Sequence, residues 1–239
     1  MHSEKQYIDL YRECREQICA HSAAPLNAVR DAAFEQFERQ GFPSRKVERY
    51  KYTSVDDLFA PDYGVNVNRL EIPVDPYKAF RCDVPNLSTS LYFIVNDQFR
   101  AALQPKENLP EGVVVDSLAA YAQANPQFVA DHYAQLAHAD EDGITALNTM
   151  LAQDGLLVYV KRGVKVDRTI QVINILRSDV PLMVNRRVLI VMEEGAEAKL
   201  LFCDHAADDR EFLATQVIEA YVGRNASLDL YCMEETHYK

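Results

Sequence analysis

The first forty residues carry apolar side chains at helical spacing, which predicts two amphipathic helices. In residues 4–20 an apolar residue recurs at every fourth position, and a similar stripe covers residues 27–40. Gly41 and Pro43 follow, where they supply a left-handed cap and a helix breaker. The stripes consist of Leu10, Cys14 and Ile18 in the first helix and Val29, Ala33, Phe34 and Phe37 in the second.

The middle of the chain has a less regular pattern. Prolines recur between residues 60 and 110, so we expect only short elements there, such as a strand at residues 91–95. Asp116 has the features of a helix N-cap, and helical spacing continues over residues 128–136 and 145–151.

After Gly155 the pattern changes to short segments rich in β-branched and aromatic residues, which is typical of strands. The predicted strands cover residues 156–161, 169–176, 187–192, 198–203, 216–222 and 227–233.

This strand region contains a weak internal repeat. The segment that begins at Val188 aligns with the segment that begins at Ile218, which is an offset of 30 along the chain. In this alignment Gly195 falls on Asn225, and Gly163 precedes Gly195 by a similar offset of 32. A strand, a tight turn and a second strand repeated in this way indicate a β-solenoid, with a β-sandwich or meander as the alternative.

Composition and charge limit the classes of function. Hydrophobic residues make up 48% and charged residues 26%, as in globular proteins, and the net charge of −11 disfavours nucleic acid as a partner. The exception is residues 44–52, called here the basic segment, whose four bases and one acid we interpret as a solvated surface.

No apolar run approaches the roughly 18 residues of a membrane helix, and the charged N-terminus predicts no signal peptide and a cytoplasmic location. The cysteines, which we expect to be reduced thiols, are Cys14, Cys19, Cys82, Cys203 and Cys232.

The sequence lacks the strong motifs of nucleotide, zinc and hydrolase sites, namely GxGxxG, the Walker loop, CxxC, HExxH and GxSxG. Three weaker groups of polar residues remain. His138 with Asp140, Glu141 and Asp142 is interpreted as a solvated loop.

The second group, Asp204, His205, Asp208 and Asp209, lies in a predicted turn where an acid–base or metal site is conceivable.

The third group is Cys203, Cys232 and His237, which are ligands of the kind that iron or zinc prefers. One repeat separates the two cysteines in our alignment, so stacked coils would bring them close together. The simpler interpretation is that both thiols fill the core in phase with Leu200 and Leu230. We therefore predict no catalytic, cofactor or metal site, with Cys203, His205, Cys232 and His237 as weak metal candidates.

Three segments carry a resemblance to a known family. They are FPSRKVERYKYTSVDDL (residues 42–58), ITALNTMLAQDGLLVYVKRGVKVDRTIQV (residues 144–172) and RRVLIVMEEGAEAKLLFCDH (residues 186–205). Together they resemble the SufD proteins of the SufB/SufD family, which belong to the Suf iron–sulfur cluster assembly machinery. The element formed by Lys46, Glu48, Tyr50, Tyr52 and Thr53 is similar to a family signature, although Tyr50 stands where tryptophan is common.

The resemblance implies an α+β fold with two domains. Residues 1–150 would form a mostly helical domain with short strands, and residues 151–239 the first coils of a right-handed parallel β-helix. Family members are about twice as long, so we expect the chain to be an N-terminal fragment with a truncated β-helix.

For function, the resemblance implies a non-catalytic scaffold that acts with SufB and the ATPase SufC in the SufBCD complex. The region that docks SufC would be absent from this chain. An iron–sulfur cluster would be present only in the intact complex, because the histidine implicated in cluster building also lies outside this chain. No nucleic acid or membrane partner is expected, and a homodimer through the open β-helix end is conceivable.

The alternative function is that of a β-helix enzyme, sugar-acting or acyl-transferring, with a site at Asp204, His205 and Asp208. A hexapeptide repeat, which left-handed acyltransferases use, does not match a period near 30.

Overall fold

The structure is a computed structural model that describes residues 3–79, 89–104 and 109–235. It is an α+β fold with helices towards the N-terminus and two mixed β-sheets. The helices are α1 (Glu4–Ala20), α2 (Ala24–Asn27), α3 (Arg30–Gln40), α4 (Val55–Phe59), α5 (Pro76–Ala79), α6 (Leu118–Ala124), α7 (Pro126–Ala130) and α8 (Gly143–Leu151). The strands are β1 (Gly64–Val65), β2 (Thr89–Val95), β3 (Gln98–Phe99), β4 (Val113–Ser117), β5 (Leu156–Val160), β6 (Thr169–Leu176), β7 (Leu182–Met192), β8 (Glu197–Ala206), β9 (Phe212–Val222) and β10 (Ser227–Glu235).

Sheet A contains β4, β5, β7, β9 and β1, and sheet B contains β3, β2, β6, β8 and β10. Within the repeat region the strands pair in parallel, β5 with β7 and β7 with β9 in sheet A, and β6 with β8 and β8 with β10 in sheet B. The pairs β4–β5 and β2–β3 are antiparallel, so both sheets are mixed.

The register of the parallel strands agrees with the sequence repeat. Val188 pairs with Ile218, which is the predicted offset of 30, and Leu156 pairs with Val188 at an offset of 32. The prediction that residues 187–192 run parallel to residues 216–222 is confirmed.

Stacked turns connect the two sheets. Gly163, Gly195 and Asn225 all have positive φ angles, of 70°, 72° and 57°, as turns of this kind require. The Gly163 amide donates to the carbonyl of Glu194 at 2.9 Å, so one turn rests directly on the next. An ion-pair ladder runs beside these turns, in which Glu194 lies 3.1 Å from Arg162 and 3.5 Å from Arg224.

The main core lies between the facing sides of the two sheets. It contains Leu156, Val158, Val188 and Ile190 from sheet A and Val172, Leu200 and Phe202 from sheet B. Helices α2, α6 and α7 cover the outer face of sheet A, where Leu26 and Leu118 pack with Leu157 and Leu189. A separate core joins α1, α3 and α8.

The predicted helix ends need three corrections. The helix predicted over residues 27–40 begins at Arg30, because Asn27 ends the short helix α2. Asp116 belongs to β4, and the N-cap of α6 is Ser117, whose Oγ accepts a hydrogen bond from the Ala120 amide. Only residues 128–130 of the predicted helical stretch 128–136 are helical, because α7 ends at Ala130 and the chain then forms turns up to Ala134, where φ is +58°.

Strands β1 to β4 precede residue 150, and they join the same sheets as the later strands. The division into domains at residues 150 and 151 therefore stays a prediction. In the part of the chain that the structure describes, no helix combines the length and apolar character needed to cross a membrane.

Candidate functional site

A cavity of about 570 Å³ opens between the ends of sheets A and B. Its polar walls come from β7, β8, β9 and β10 and from the loop that follows β8. The lining includes Arg186, Asp204, Asp208, Gln216 and Glu234, together with Phe212. The structure thus places three of the four residues of the predicted acid–base group, Asp204, Asp208 and Asp209, at one cavity.

Asp204 and Asp208 are both held by arginines. Arg186 Nη1 donates to Asp204 Oδ1 at 2.7 Å, and Arg186 Nε donates to the carbonyl oxygen of Asn96 at 2.8 Å. The Arg186 side chain is buried, and this burial lowers the pKa of its guanidinium, although the charge of Asp204 opposes the effect. Asp204 is therefore the counter-ion of a buried cation.

Asp208 organises the loop at the mouth of the cavity. It accepts hydrogen bonds from Arg177 Nη1 at 3.2 Å and from the Ser178 amide at 2.9 Å, and its second oxygen accepts one from the Arg210 amide. These bonds satisfy the carboxylate and fix the loop, which is the ordinary role of an aspartate in a turn.

His205 does not reach the cavity. It follows Asp204 directly on β8, and successive side chains of a strand point to opposite faces. The His205 side chain is buried and does not line the cavity. The predicted enzyme site of Asp204, His205 and Asp208 is therefore wrong, because its imidazole lies on the other side of the sheet.

The predicted pairing of Cys203 with Cys232 is also wrong. In the parallel register Cys203 pairs with Met233, and Cys232 pairs with Phe202. The two cysteines are separated along the chain by one residue fewer than the paired residues of β8 and β10 are. Their side chains therefore point to opposite faces of sheet B. Convergence of the two thiols on one metal ion is excluded by this geometry.

The surroundings of the two thiols differ accordingly. Cys203 is buried with Phe93 and Ile173 on the outer face of sheet B, and it accepts a hydrogen bond from Gln171 Nε2 at 3.4 Å. Only Cys232 is in phase with Leu200 and Leu230. Partial desolvation and the negative charges of Asp204 and Glu234 raise the pKa of the Cys232 thiol, so its thiolate form is disfavoured.

His237 and Cys82 lie outside the described residues. His138, Asp140 and Glu141 form an exposed loop, and Asp142 is the N-cap of α8. Among residues 3–79, 89–104 and 109–235, no three His, Cys, Asp or Glu side chains form a group that could hold a metal ion.

Sequence reasoning missed a buried ion pair on the other side of β7. Arg187 and Glu219 have side-chain exposures of 0% and 1%, and their closest atoms are 2.7 Å apart. Glu219 also accepts hydrogen bonds from the backbone amides of Ala134, Leu136 and Ala137. The signal was present in the sequence as two opposite charges within apolar strands, separated by about one repeat.

This pair connects sheet A with the helical part of the chain. The Arg187 guanidinium lies 4.7 Å from the centre of the Tyr133 ring and donates to Thr149 Oγ1 in α8 at 3.1 Å. The cluster joins these elements, although Arg187 Nε and the Tyr133 hydroxyl are buried without a hydrogen-bond partner among the described residues.

The fold is that of an α+β protein in which helices precede parallel strands stacked at a regular repeat. Two family models match a chain of this organisation. A family model described as the SufBD protein N-terminal region matches residues 1–172, and one described as the SUF system FeS cluster assembly SufBD core domain matches residues 174–239. The chain belongs to the SufBD family.

The chain is also similar to the iron–sulfur cluster assembly protein SufD of Bacillus subtilis (strain 168). The two are 24% identical over 230 residues, which make up 94% of this chain and 51% of that protein. The chain thus spans about half the length of this curated relative.

Proposed function

We propose that the chain contributes to iron–sulfur cluster assembly as a non-catalytic scaffold that acts with SufB and the ATPase SufC. The observation that carries the proposal is the order of the two family matches, which together span the chain from its helical part into its parallel strands.

We further propose that the parallel strands are coils of a right-handed β-helix. Support comes from the constant register of 30 between β7 and β9 and between β8 and β10, and from the stacked positive-φ turns. A solenoid of this kind gives a rigid surface for partner proteins, which is the physical requirement of a scaffold.

The proposal of a non-catalytic role is supported by the cavity. Its best candidates for acid–base chemistry, Asp204 and Asp208, are bound to Arg186 and Arg177. Both carboxylates therefore act as hydrogen-bonded counter-ions of arginines. In the same proposal, this chain holds no cluster of its own, and its location is cytoplasmic.

The test is co-expression of this chain with the SufB and SufC proteins of its own organism. We expect the chain to co-purify with SufB, and anaerobic analysis of the chain alone to find no stoichiometric iron or sulfide. Failure to bind SufB would overturn the scaffold role. A stoichiometric cluster lost on changing Cys203 or Cys232 to Ser would overturn the proposed absence of a cofactor.

A further inference from the structure

The basic segment (residues 44–52) is an exposed part of the helical region with a defined conformation. Three turn hydrogen bonds hold it. The Val47 amide donates to the Ser44 carbonyl at 3.0 Å, the Tyr50 amide to the Val47 carbonyl at 2.9 Å, and the Lys51 amide to the Glu48 carbonyl at 3.3 Å. Its ends continue into the buried residues Phe42 and Val55. The backbone of the basic segment therefore has one defined conformation.

Tyr50 fastens the centre of the segment to helix α8. Its hydroxyl donates to Asp142 Oδ2 at 2.6 Å, and Asp142 caps the helix by accepting from the amide of Ile144. Partial burial, together with the bond to Asp142, raises the pKa of Tyr50 to about 12, so the hydroxyl stays protonated as a donor at neutral pH. Arg49 is held to the same carboxylate at 3.7 Å.

The segment presents positive charge that the described part of the chain does not neutralise. Lys51 has an ion pair with Glu48 at 3.7 Å, but neither Arg45 nor Lys46 has an ion pair within the ranges that the structure covers.

Two apolar side chains are exposed within the same segment. Tyr52 is 89% exposed and Val47 is 43% exposed. The Lys51 ammonium lies 5.6 Å from the centre of the Tyr52 ring, but no other aromatic or apolar group of the described chain covers that ring. A tyrosine in this position contributes little to the fold. Tyrosine, arginine and tryptophan are enriched among the residues that contribute most to binding at protein interfaces.

We propose that the basic segment is a docking surface for an acidic protein segment, one that carries carboxylates together with an apolar side chain. The carboxylates pair with Arg45 and Lys46, and the apolar side chain packs on the ring of Tyr52. Charge complementarity assigns the occupant, because Arg45 and Lys46 are exposed, form no ion pair among the described residues and are therefore available to the carboxylates of a partner. This inference goes beyond the scaffold role and rests on the basic segment alone. The docking proposal can therefore fail while the scaffold role holds, and the reverse is also true.

Nucleic acid is a less suitable occupant of this surface. A phosphate backbone extends well beyond so short a segment, and it would meet the negative charge of the surrounding protein. A short acidic peptide avoids this repulsion, since interactions between exposed charges are screened beyond about 8 Å at physiological salt.

The test uses fluorescence anisotropy with three labelled probes. They are a short glutamate-rich peptide that carries leucines, the same peptide with glutamine in place of glutamate, and a single-stranded oligonucleotide of similar length.

Two variants of the chain test the segment. The first combines Arg45→Glu with Lys46→Glu, and the second is Tyr52→Ala. Lys78→Glu combined with Lys161→Glu is the charge control, because both bases are exposed outside residues 44–52 and the net charge changes equally. Leu70→Ala, at a position 68% exposed, is the apolar control.

We expect the acidic peptide to bind, with an affinity that falls as salt is added. Reversal of Arg45 and Lys46 should weaken binding by about tenfold or more, and Tyr52→Ala by about fivefold, whereas both controls should change it less than about twofold. Circular dichroism spectra that match the wild type show that the variants fold.

The proposal is overturned if the acidic peptide does not bind, or if the charge control weakens binding as much as the reversal of Arg45 and Lys46. Tighter binding of the oligonucleotide or of the glutamine peptide would also overturn it. So would self-association of the chain that the reversal of Arg45 and Lys46 abolishes, since the occupant would then be a second copy.

Discussion

Arg187 and Glu219 form a buried ion pair in which the guanidinium Nη2 lies 2.7 Å from the carboxylate Oε2. They are diagonal neighbours on β7 and β9, since Leu189 is the residue that pairs directly with Glu219. The carboxylate also holds the turn around Ala134, so one side chain of sheet A fixes the position of the segment that follows α7.

We predict that Glu219→Gln lowers the free energy of unfolding by about 3–5 kcal/mol, because it leaves Arg187 as an uncompensated buried charge. Urea unfolding followed by circular dichroism measures the loss. The double variant Arg187→Met with Glu219→Leu should recover part of it, since it removes both charges. If the single and double variants lose equal stability, the lost amide contacts and not the buried charge determine the cost.

Gly195 and Gly155 should respond to alanine in different ways. Gly195 has φ of +72°, and the Cβ of an alanine there would meet only Gly163, at 3.8 Å. Gly195→Ala should therefore cost about 1–2 kcal/mol of unfolding free energy from backbone strain. A Cβ at Gly155 would lie 2.1 Å from the carbonyl oxygen of Arg187, so Gly155→Ala should cost about 3 kcal/mol or more. Chemical denaturation of both variants gives the comparison, and equal costs would contradict it.

Asp154 should make the chain less stable as pH rises. Burial raises the pKa of its carboxyl group, and the charge of Arg69 opposes this shift without cancelling it. The ordinary pKa of about 3.9 applies in the unfolded chain. The folded chain therefore binds the Asp154 proton more tightly than the unfolded chain does. The protonated carboxyl group makes its full contribution to the free energy of unfolding below about pH 4, and this contribution is lost as pH rises through the raised pKa.

Asp154→Asn removes this titration, because the amide keeps an acceptor for the Ser117 hydroxyl and carries no charge. We expect the unfolding free energy of the variant, relative to the wild type, to increase between about pH 4 and pH 8. A difference that stays constant over this interval would show that Asp154 does not titrate there.

The outer strand β10 should promote association. Leu230 and Tyr231 are 40% and 55% exposed, and β10 pairs only with β8 in the described part of the chain. At micromolar concentration we expect sedimentation velocity to report species larger than the 27.2 kDa monomer. Leu230→Lys should return the chain to a monomer, whereas Leu70→Lys, at an exposed position between β1 and α5, should not. A monomer at all concentrations would contradict the homodimer proposed for this end.

Local patterns predicted the elements well. Residues 4–20 form α1 and residues 169–176 form β6 with the predicted bounds, because a helical stripe and a run of β-branched residues each determine their own structure. The offset of 30 predicted the pairing of β7 with β9, since parallel neighbours of a repeat bury the same apolar positions on one another.

The candidate site was harder to predict, because it depends on which face of a strand each side chain occupies. Cys203 and Cys232 lie on opposite faces of sheet B, because their separation along the chain differs by one residue from the offset between paired residues. The partner of Asp204 was also hidden, since Arg186 belongs to the other sheet and no local spacing relates the two. The basic segment was visible as a charge pattern, but the exposure of Tyr52 required the structure.

The ladder formed by Arg162, Glu194 and Arg224 has a consequence for folding. The stacked turns resemble one another in sequence, so β9 has a competing partner in β5 if the chain omits the intervening layer. That mispairing would place Arg224 against Arg162, and like charges in adjacent positions repel. Alternating signs along the ladder therefore make each layer recognise its immediate neighbour, and they discourage the skipped arrangement that repetitive chains are otherwise prone to adopt.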